Sequence, residues 1–230
     1  MKLSIIIPTL DEEKFIENLV RYFFAHKNGQ DIEVIVADAG SKDQTVMKAA
    51  AAGAIILQCP EKGRAAQMNF GAKFSRGDIL YFVHADSFPP KSFAQDISIA
   101  TQNGFALGRY RTKFDTSNFL LKMNAFFTRF DLFMCYGGDQ TLFIQKKLFE
   151  RIDGFNKKML IMEEYDLVER ARQKGKYKIF SGKALISTRK YDTNSWLRVQ
   201  KANYKVIQLY KKGVPHSELV ATYKNMLDQK

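Results

Sequence analysis

The 230-residue sequence predicts an α/β protein with a mostly parallel central sheet flanked by helices and an α+β C-terminal half. Three observations predict it. Short β-rich runs alternate with helical patterns over the first hundred residues, the runs are almost unbroken in apolar character, and the rhythm changes after about residue 104. Strands alternating with helical segments form βαβ units with parallel pairing. Strands covered on both faces carry continuous apolar runs rather than alternating ones.

KLSIIIP is the first strand, with Ile5 to Ile7 as its apolar centre, and DEEKFIENLVRYFFAH is the first helix. IEVIVAD, a helix, AIILQ, a further helix and DILYFVHAD continue the alternation, with apolar stretches at Val34 to Val36 and Ile79 to Val83. FALGRYRTKF then leads into a Phe-rich helical stretch from Asn118 to Phe133, a TLFI strand and a short helix before Gly154-Phe155. From Trp196 onward, Val199, Val206, Leu209 and Tyr210 recur at helical spacing among Arg198, Lys201, Lys205, Lys211 and Lys212, the pattern of a basic amphipathic helix. Gly213 and Pro215 break it before another helix. The expected organisation is one domain over residues 1–195 and a helical extension over 196–230. The extension has three readings: packing within the chain, packing in a homodimer, or peripheral contact with the inner face of a membrane.

A hydrophobic content of 46% is enough for one substantial core. No apolar run approaches the roughly 20 residues of a membrane span. The N-terminal apolar run turns acidic at Asp11 without a small-residue cleavage site, so the expected location is cytoplasmic. Cys59 and Cys135 form no metal-ligand or disulfide pattern. The net charge of +12 and pI near 9.6 favour anionic partners: nucleic acid, an acidic membrane surface, or a phosphorylated small molecule. The motifs decide for the last, and nucleic acid is not an expected partner.

In open α/β sheets ligands bind at the carboxyl ends of the strands, and here three strands end in acids: Asp11 and Glu12, Asp38, and Asp86. Asp38 ends its strand where a base or ribose hydroxyl can meet it. Ser41, with Gln44 three residues on, has the spacing of a capping box for the following helix. Gly63-Arg64 opens a helix whose amides and guanidinium suit a diphosphate; Gln67 and Asn69 behind it are either ligand contacts or solvated helix positions. His84 and Asp86 lie two apart, so in extended chain both address one cation, with imidazole favouring Mn²⁺ over Mg²⁺. Glu163, Glu164 and Asp166 cluster in a helix's first turn, where repulsion raises one pKa toward that of a general base. Gly137-Gly138-Asp139-Gln140 allows close backbone approach to a ligand. The basic group of Thr188-Arg189-Lys190-Tyr191, Arg189 foremost, either screens a diphosphate or belongs to a surface turn.

Read in order, SIIIPTLDEE, VADAGSKDQT, GRAAQMNFGA, VHADS, GGDQTLF, IDGF and MEEYDL resemble the motif series of family 2 glycosyltransferases with the GT-A fold, over about residues 3 to 167. The resemblance implies inverting transfer from a nucleotide diphosphate sugar, by family habit a UDP-sugar, to an acceptor hydroxyl, assisted by a divalent metal. By position it assigns Thr9 and Glu12 to the nucleoside, Asp38 to its base or ribose, Arg64 to the diphosphate, Asp86 to the metal and Glu164 to the role of general base. Asp139 is a second candidate for that base. The chain departs from the family where Ala39 replaces the second acid of D-D-G-S, His84 the first acid of D-x-D, and Glu164 the usual Asp base. H-A-D with G-R-A-x-Q-M-N and T-R-x-[WY] is similar to a compact subgroup described as radical-SAM-associated or arsenosugar-biosynthesis transferases.

Two rivals come from other classes. A nucleotidyltransferase needs a Gly-rich basic loop after the first strand, and PTLDEE is acidic and glycine-free. A basic module for nucleic acid or anionic membrane gains from the charge but leaves the strand-end acids unexplained.

Overall fold

The computed structural model describes residues 1–136 and 141–228. An eight-stranded sheet has the order β3-β2-β1-β4-β7-β6-β8-β5 among the described residues. Its strands are β1 (Lys2–Thr9), β2 (Asp31–Asp38), β3 (Ile55–Gln58), β4 (Ile79–Phe82), β5 (Ser87–Phe88), β6 (Phe105–Phe114), β7 (Leu142–Gln145) and β8 (Lys176–Ile186). The helices are α1 (Ile16–Ala25), α2 (Thr45–Ala51), α3 (Arg64–Phe74), α4 (Phe93–Gln102), α5 (Phe119–Phe127), α6 (Lys146–Arg151), α7 (Glu163–Arg172), α8 (Trp196–Lys211) and α9 (His216–Met226).

The apolar run of β1 is divided between two cores because successive side chains leave opposite faces of a strand. Leu3, Ile5 and Ile7 join Leu19 and Phe23 of α1 and Phe93 and Ile97 of α4. Ile6 packs on the other face with Met68 of α3 and Leu167 and Val168 of α7. Gly71 lets α3 lie close against β1: a Cβ there would stand 2.5 Å from Ile6 Cγ2.

The first four strands are all parallel, as expected for βαβ units. The sheet is mostly parallel as expected, and the α+β second half adds the antiparallel pairings. β7 runs antiparallel to both β4 and β6, and β5 antiparallel to β8, while β6 and β8 are parallel. β6 therefore points the same way as β4 and carries the chain to the edge where β4 ends. β7 then runs back beside it.

The Phe-rich helix is shorter than its apolar pattern. Asn118 caps α5, its Oδ1 accepting from the amides of Leu120 and Leu121 at 2.9 and 3.4 Å. Buried Arg109 ends it by donating to the carbonyls of Thr128 at 2.7 Å and Phe130 at 3.2 Å. A separate 3₁₀ turn covers Phe133–Cys135. The C-terminal helices form where expected, with Gly213 at φ 68° between them. Val199, Ala202 and Val206 of α8 are buried within the chain, and Val206 shares a cluster with Met162 and Tyr165 at the start of α7. No described helix is long and apolar enough to cross a membrane.

Candidate functional site

The ends of β1 and β2 are tied together from below. Gln67 of α3, only 4% exposed, donates Nε2 to the carbonyls of Thr9 and Ala37, both at 2.8 Å. It is not a solvated helix position, and it also lines the cleft described below. Asn69 brackets the backbone of Phe155, Nδ2 donating to the carbonyl at 2.8 Å and Oδ1 accepting from the N–H at 2.9 Å. The bracket fixes the Gly154 turn, where φ is 62° and a Cβ would meet Asn69 Oδ1 at 2.6 Å.

Above this floor the loops after β1 and β2 are laced through their acids. Asp38 is 1% exposed. One of its oxygens accepts from Thr9 Oγ1 at 3.1 Å and from Ser41 Oγ; the other accepts from the amides of Gly40 and Ser41, both at 2.9 Å. A carboxylate has about four acceptor sites, and here Thr9 at the end of β1 and the Gly40–Ser41 loop occupy them and fix the shape of the wall. Ser41 is not the predicted helix cap. Helix α2 begins at Thr45, and Ser41 Oγ instead accepts from the Asp11 amide at 2.9 Å. Asp11 Oδ1 returns the tie by accepting from the Lys42 amide at 2.7 Å.

Next to these loops a cleft of about 460 Å³ opens at the carboxyl ends of β1, β2 and β4. Thr9, Glu12, Arg64, His84, Asp86 and Arg189 all line it, together with Lys62 and Lys190. Residues from four separate segments thus meet in one volume. Gly63, at φ 118°, starts α3 so that Arg64 stands at the cleft with Nε 3.0 Å from Glu163 Oε1. Arg189, in a 3₁₀ turn after β8, donates both Nη atoms to Glu12 at 2.8 and 2.7 Å and places Nε 2.9 Å from Asp86. It is a built part of the cleft rather than a surface turn. The expected extended path at His84–Asp86 is corrected: β4 ends at Phe82 and the chain turns, the Ser87 amide bonding the His84 carbonyl at 3.1 Å. Both side chains line the cleft, His84 Nε2 within 3.3 Å of Glu164 Oε1 and Asp86 beside Arg189.

The acids of α7 diverge. Glu163 is fully buried; burial and the neighbouring Glu164 carboxylate push its pKa up to about 7, against the pull of Arg64. Glu164 is buried too, which opposes ionisation, yet the His84 hydrogen bond and Arg64 hold it below the usual carboxylate range. The acid raised by crowding is therefore Glu163, and the one lowered is the predicted base. Asp166 is bound to Arg170 along the helix at 2.5 Å and takes no part.

Among the described residues no group of three or more His, Cys, Asp or Glu is placed to hold a metal ion. Asp86 and His84 offer one carboxylate and one imidazole on the cleft wall. Such a set fits an ion of the Mg²⁺ or Mn²⁺ type that arrives with a diphosphate, because these ions are commonly held by one or two protein carboxylates plus substrate phosphates and water. It does not fit a cage built by the protein alone. Asp139 lies outside the described residues. Lys190 of the basic Thr188–Tyr191 run also lines the cleft, while Lys62, Leu160 and Ser187 line it without having stood out in the sequence; of these only Lys62 carries a signal, its charge beside Arg64.

A profile of the family "Glycosyl transferase family 2" matches residues 4–156. Glucosyl-3-phosphoglycerate synthase of Mycolicibacterium paratuberculosis is 36% identical over 98 residues, 38% of this chain and 29% of that protein. Dolichol-phosphate mannosyltransferase of Pyrococcus furiosus is 30% identical over 109 residues, 45% of this chain and 31% of that protein. The matches thus span under a third of these two relatives. Among solved structures, S. aureus TarS 1-349 in complex with UDP-GlcNAc superposes with a TM-score of 0.67 at 17% identity, covering 82% of this chain and 59% of that one. Glucosyl-3-phosphoglycerate synthase from Mycobacterium tuberculosis, in complex with Mn²⁺, UDP and glucosyl-3-phosphoglycerate, superposes at 0.62 and 17% identity, covering 93% and 81%. The mixed α/β fold with its central sheet is that of these GT-A enzymes.

Proposed function

We propose, from the premise that this chain belongs to glycosyl transferase family 2, that it transfers a sugar from a nucleotide diphosphate donor, a UDP-sugar first, to an acceptor hydroxyl with inversion. The observation that carries the proposal is the cleft at the ends of β1, β2 and β4, which brings cationic, anionic and imidazole groups from distant segments together. The UDP complexes of TarS and of glucosyl-3-phosphoglycerate synthase support the choice of donor. The combination of His84-Ala85-Asp86, the Gly63–Asn69 run and Thr188–Tyr191 supports a place in the radical-SAM-associated or arsenosugar-biosynthesis subgroup.

In the proposed reaction the acceptor oxygen forms a bond to the anomeric carbon as the bond from that carbon to the diphosphate oxygen breaks on the opposite face. The acceptor's proton passes to the Glu164 carboxylate, which the His84 hydrogen bond keeps ionised and oriented. Arg64 and Arg189 stand where charge collects on the leaving diphosphate. Thr9 and the loop shaped by Asp38 border the nucleoside. Mn²⁺ or Mg²⁺ held by Asp86 with His84 would supply further neutralisation of the diphosphate. Asp86 and Glu12 are bound to Arg189 in the free protein, so the guanidinium keeps the acids from repelling one another until donor and ion enter.

Glu164→Gln keeps the shape and removes the proton acceptor. Sugar transfer to added acceptors is expected to fall by about 10² to 10⁴ while UDP affinity stays within twofold. A variant with turnover close to wild type would take the base role from Glu164.

A further inference from the structure

Of the sixteen large apolar side chains exposed among the described residues, seven fall between Phe119 and Met134. Phe119 is 74% exposed and Met134 59%, with Phe126, Phe127, Phe130 and Leu132 between them. Helix α5 buries only Leu121. An apolar concentration of this kind marks an interaction surface, unlike apolar residues scattered singly. It is also held in shape: Asn118 caps one end, Arg109 grips the carbonyls at the other, and Thr128 Oγ1 accepts from the Thr112 amide at 2.9 Å. Phe126, Phe127 and Phe130 form a cluster with ring centroids 5.8 to 6.3 Å apart.

Cations are interleaved with the rings. Lys122 is exposed within α5, and Arg129 lies 3.8 Å from the Phe126 ring centre. Lys211 of α8 reaches within 4.8 Å of the Phe133 ring centre. The nearby Asp131 is neutralised by Arg172, with two contacts of 2.6 Å. We infer that the face from Phe119 to Met134 seats the protein on an anionic lipid bilayer, its rings among the acyl chains and its cations on the headgroups. Apolar burial combined with attraction to anionic lipid is the physics of interfacial helices. A second copy of the chain is a poor occupant, because pairing this face with itself would bring like charges together in a molecule of net charge +12.

The position of the face gives it a consequence. The end of β6, Phe114, stands opposite Ile186, next to Ser187 of the cleft lining, so α5 leaves the same sheet edge on which the cleft opens. A membrane-bound molecule would meet acceptors presented at the lipid surface. That consequence rests on the proposed function; the docking does not.

The test is flotation of the full chain with phosphatidylcholine vesicles, with and without phosphatidylglycerol. It compares wild type, Phe126→Asp/Phe130→Asp, and Leu197→Asp/Tyr204→Asp on α8. Wild type should float with the anionic vesicles, the α5 variant should partition at least about tenfold less, and the α8 variant should match wild type. Circular dichroism checks folding, and Phe119→Ser, at the most exposed position, serves if the double variant unfolds. No flotation of wild type, equal flotation of the α5 variants, or loss only in the α8 variant would overturn the inference. So would a dimer in light scattering that the α5 substitutions dissolve without any vesicle binding.

Discussion

Burial alone would raise both Glu163 and Glu164, and two adjacent buried carboxylates resist sharing the ionised state. Their partners separate them. The His84 hydrogen bond keeps Glu164 ionised, so Glu163 is the one pushed up to about 7. A carboxyl raised in the folded state contributes stability that is present below its unfolded pKa near 4.5 and is lost as pH rises through about 7. Glu163→Gln, which cannot ionise, should therefore gain over wild type as the pH rises. Thermal unfolding should show the variant's midpoint higher by about 2 °C or more at pH 8 and nearly level at pH 4.5. An equal offset at both pH values would refute the assignment. The opposed pair was not legible in the sequence. Glu163 and Glu164 are adjacent letters there, and what distinguishes them, Arg64 and His84, lies far off in the chain. The partners of Asp38 were hidden in a related way: its place at a strand end is legible, but the Thr9 hydroxyl of β1 that joins the amides and hydroxyl of its own loop is not.

Among the elements, β1, β2 and β4 were readable because burial on both faces leaves an unbroken apolar run. The reversal of β7 was not, since strand direction depends on which edge the preceding segment delivers the chain to and leaves no local trace. The end of α5 was equally hidden: the apolar periodicity continues past Thr128, and a buried arginine from β6 stops the helix. Helix α3 has the tightest requirement. It carries Arg64 to the cleft, Gln67 to the strand ends and Asn69 to the Phe155 turn, all from one helix lying close on β1 through Gly71. Gly71→Val would force a side chain into Ile6. The expected cost is roughly 1–3 kcal/mol, read as a lower urea midpoint at unchanged slope; an unshifted midpoint would mean that the contact relaxes freely.

For the whole molecule the net charge of +12 named the sign of the partner but not its identity. Where the charge sits gives more. Lys62, Arg64, Arg189 and Lys190 gather at one cleft, and the acids Glu12 and Asp86 stand there bound to Arg189 instead of repelling an incoming diphosphate. A plain basic surface would need none of those acids. The proposed function requires this cleft to be a nucleotide diphosphate site completed by a divalent ion. The most direct measurement is calorimetric titration of UDP, with GDP as comparison, in Mn²⁺, in Mg²⁺ and in chelator, on wild type and Asp86→Ala. Metal-dependent binding to wild type is expected, weakened about tenfold or more in the variant. Absence of nucleotide binding under every condition, or equal binding by Asp86→Ala, would rule out that site.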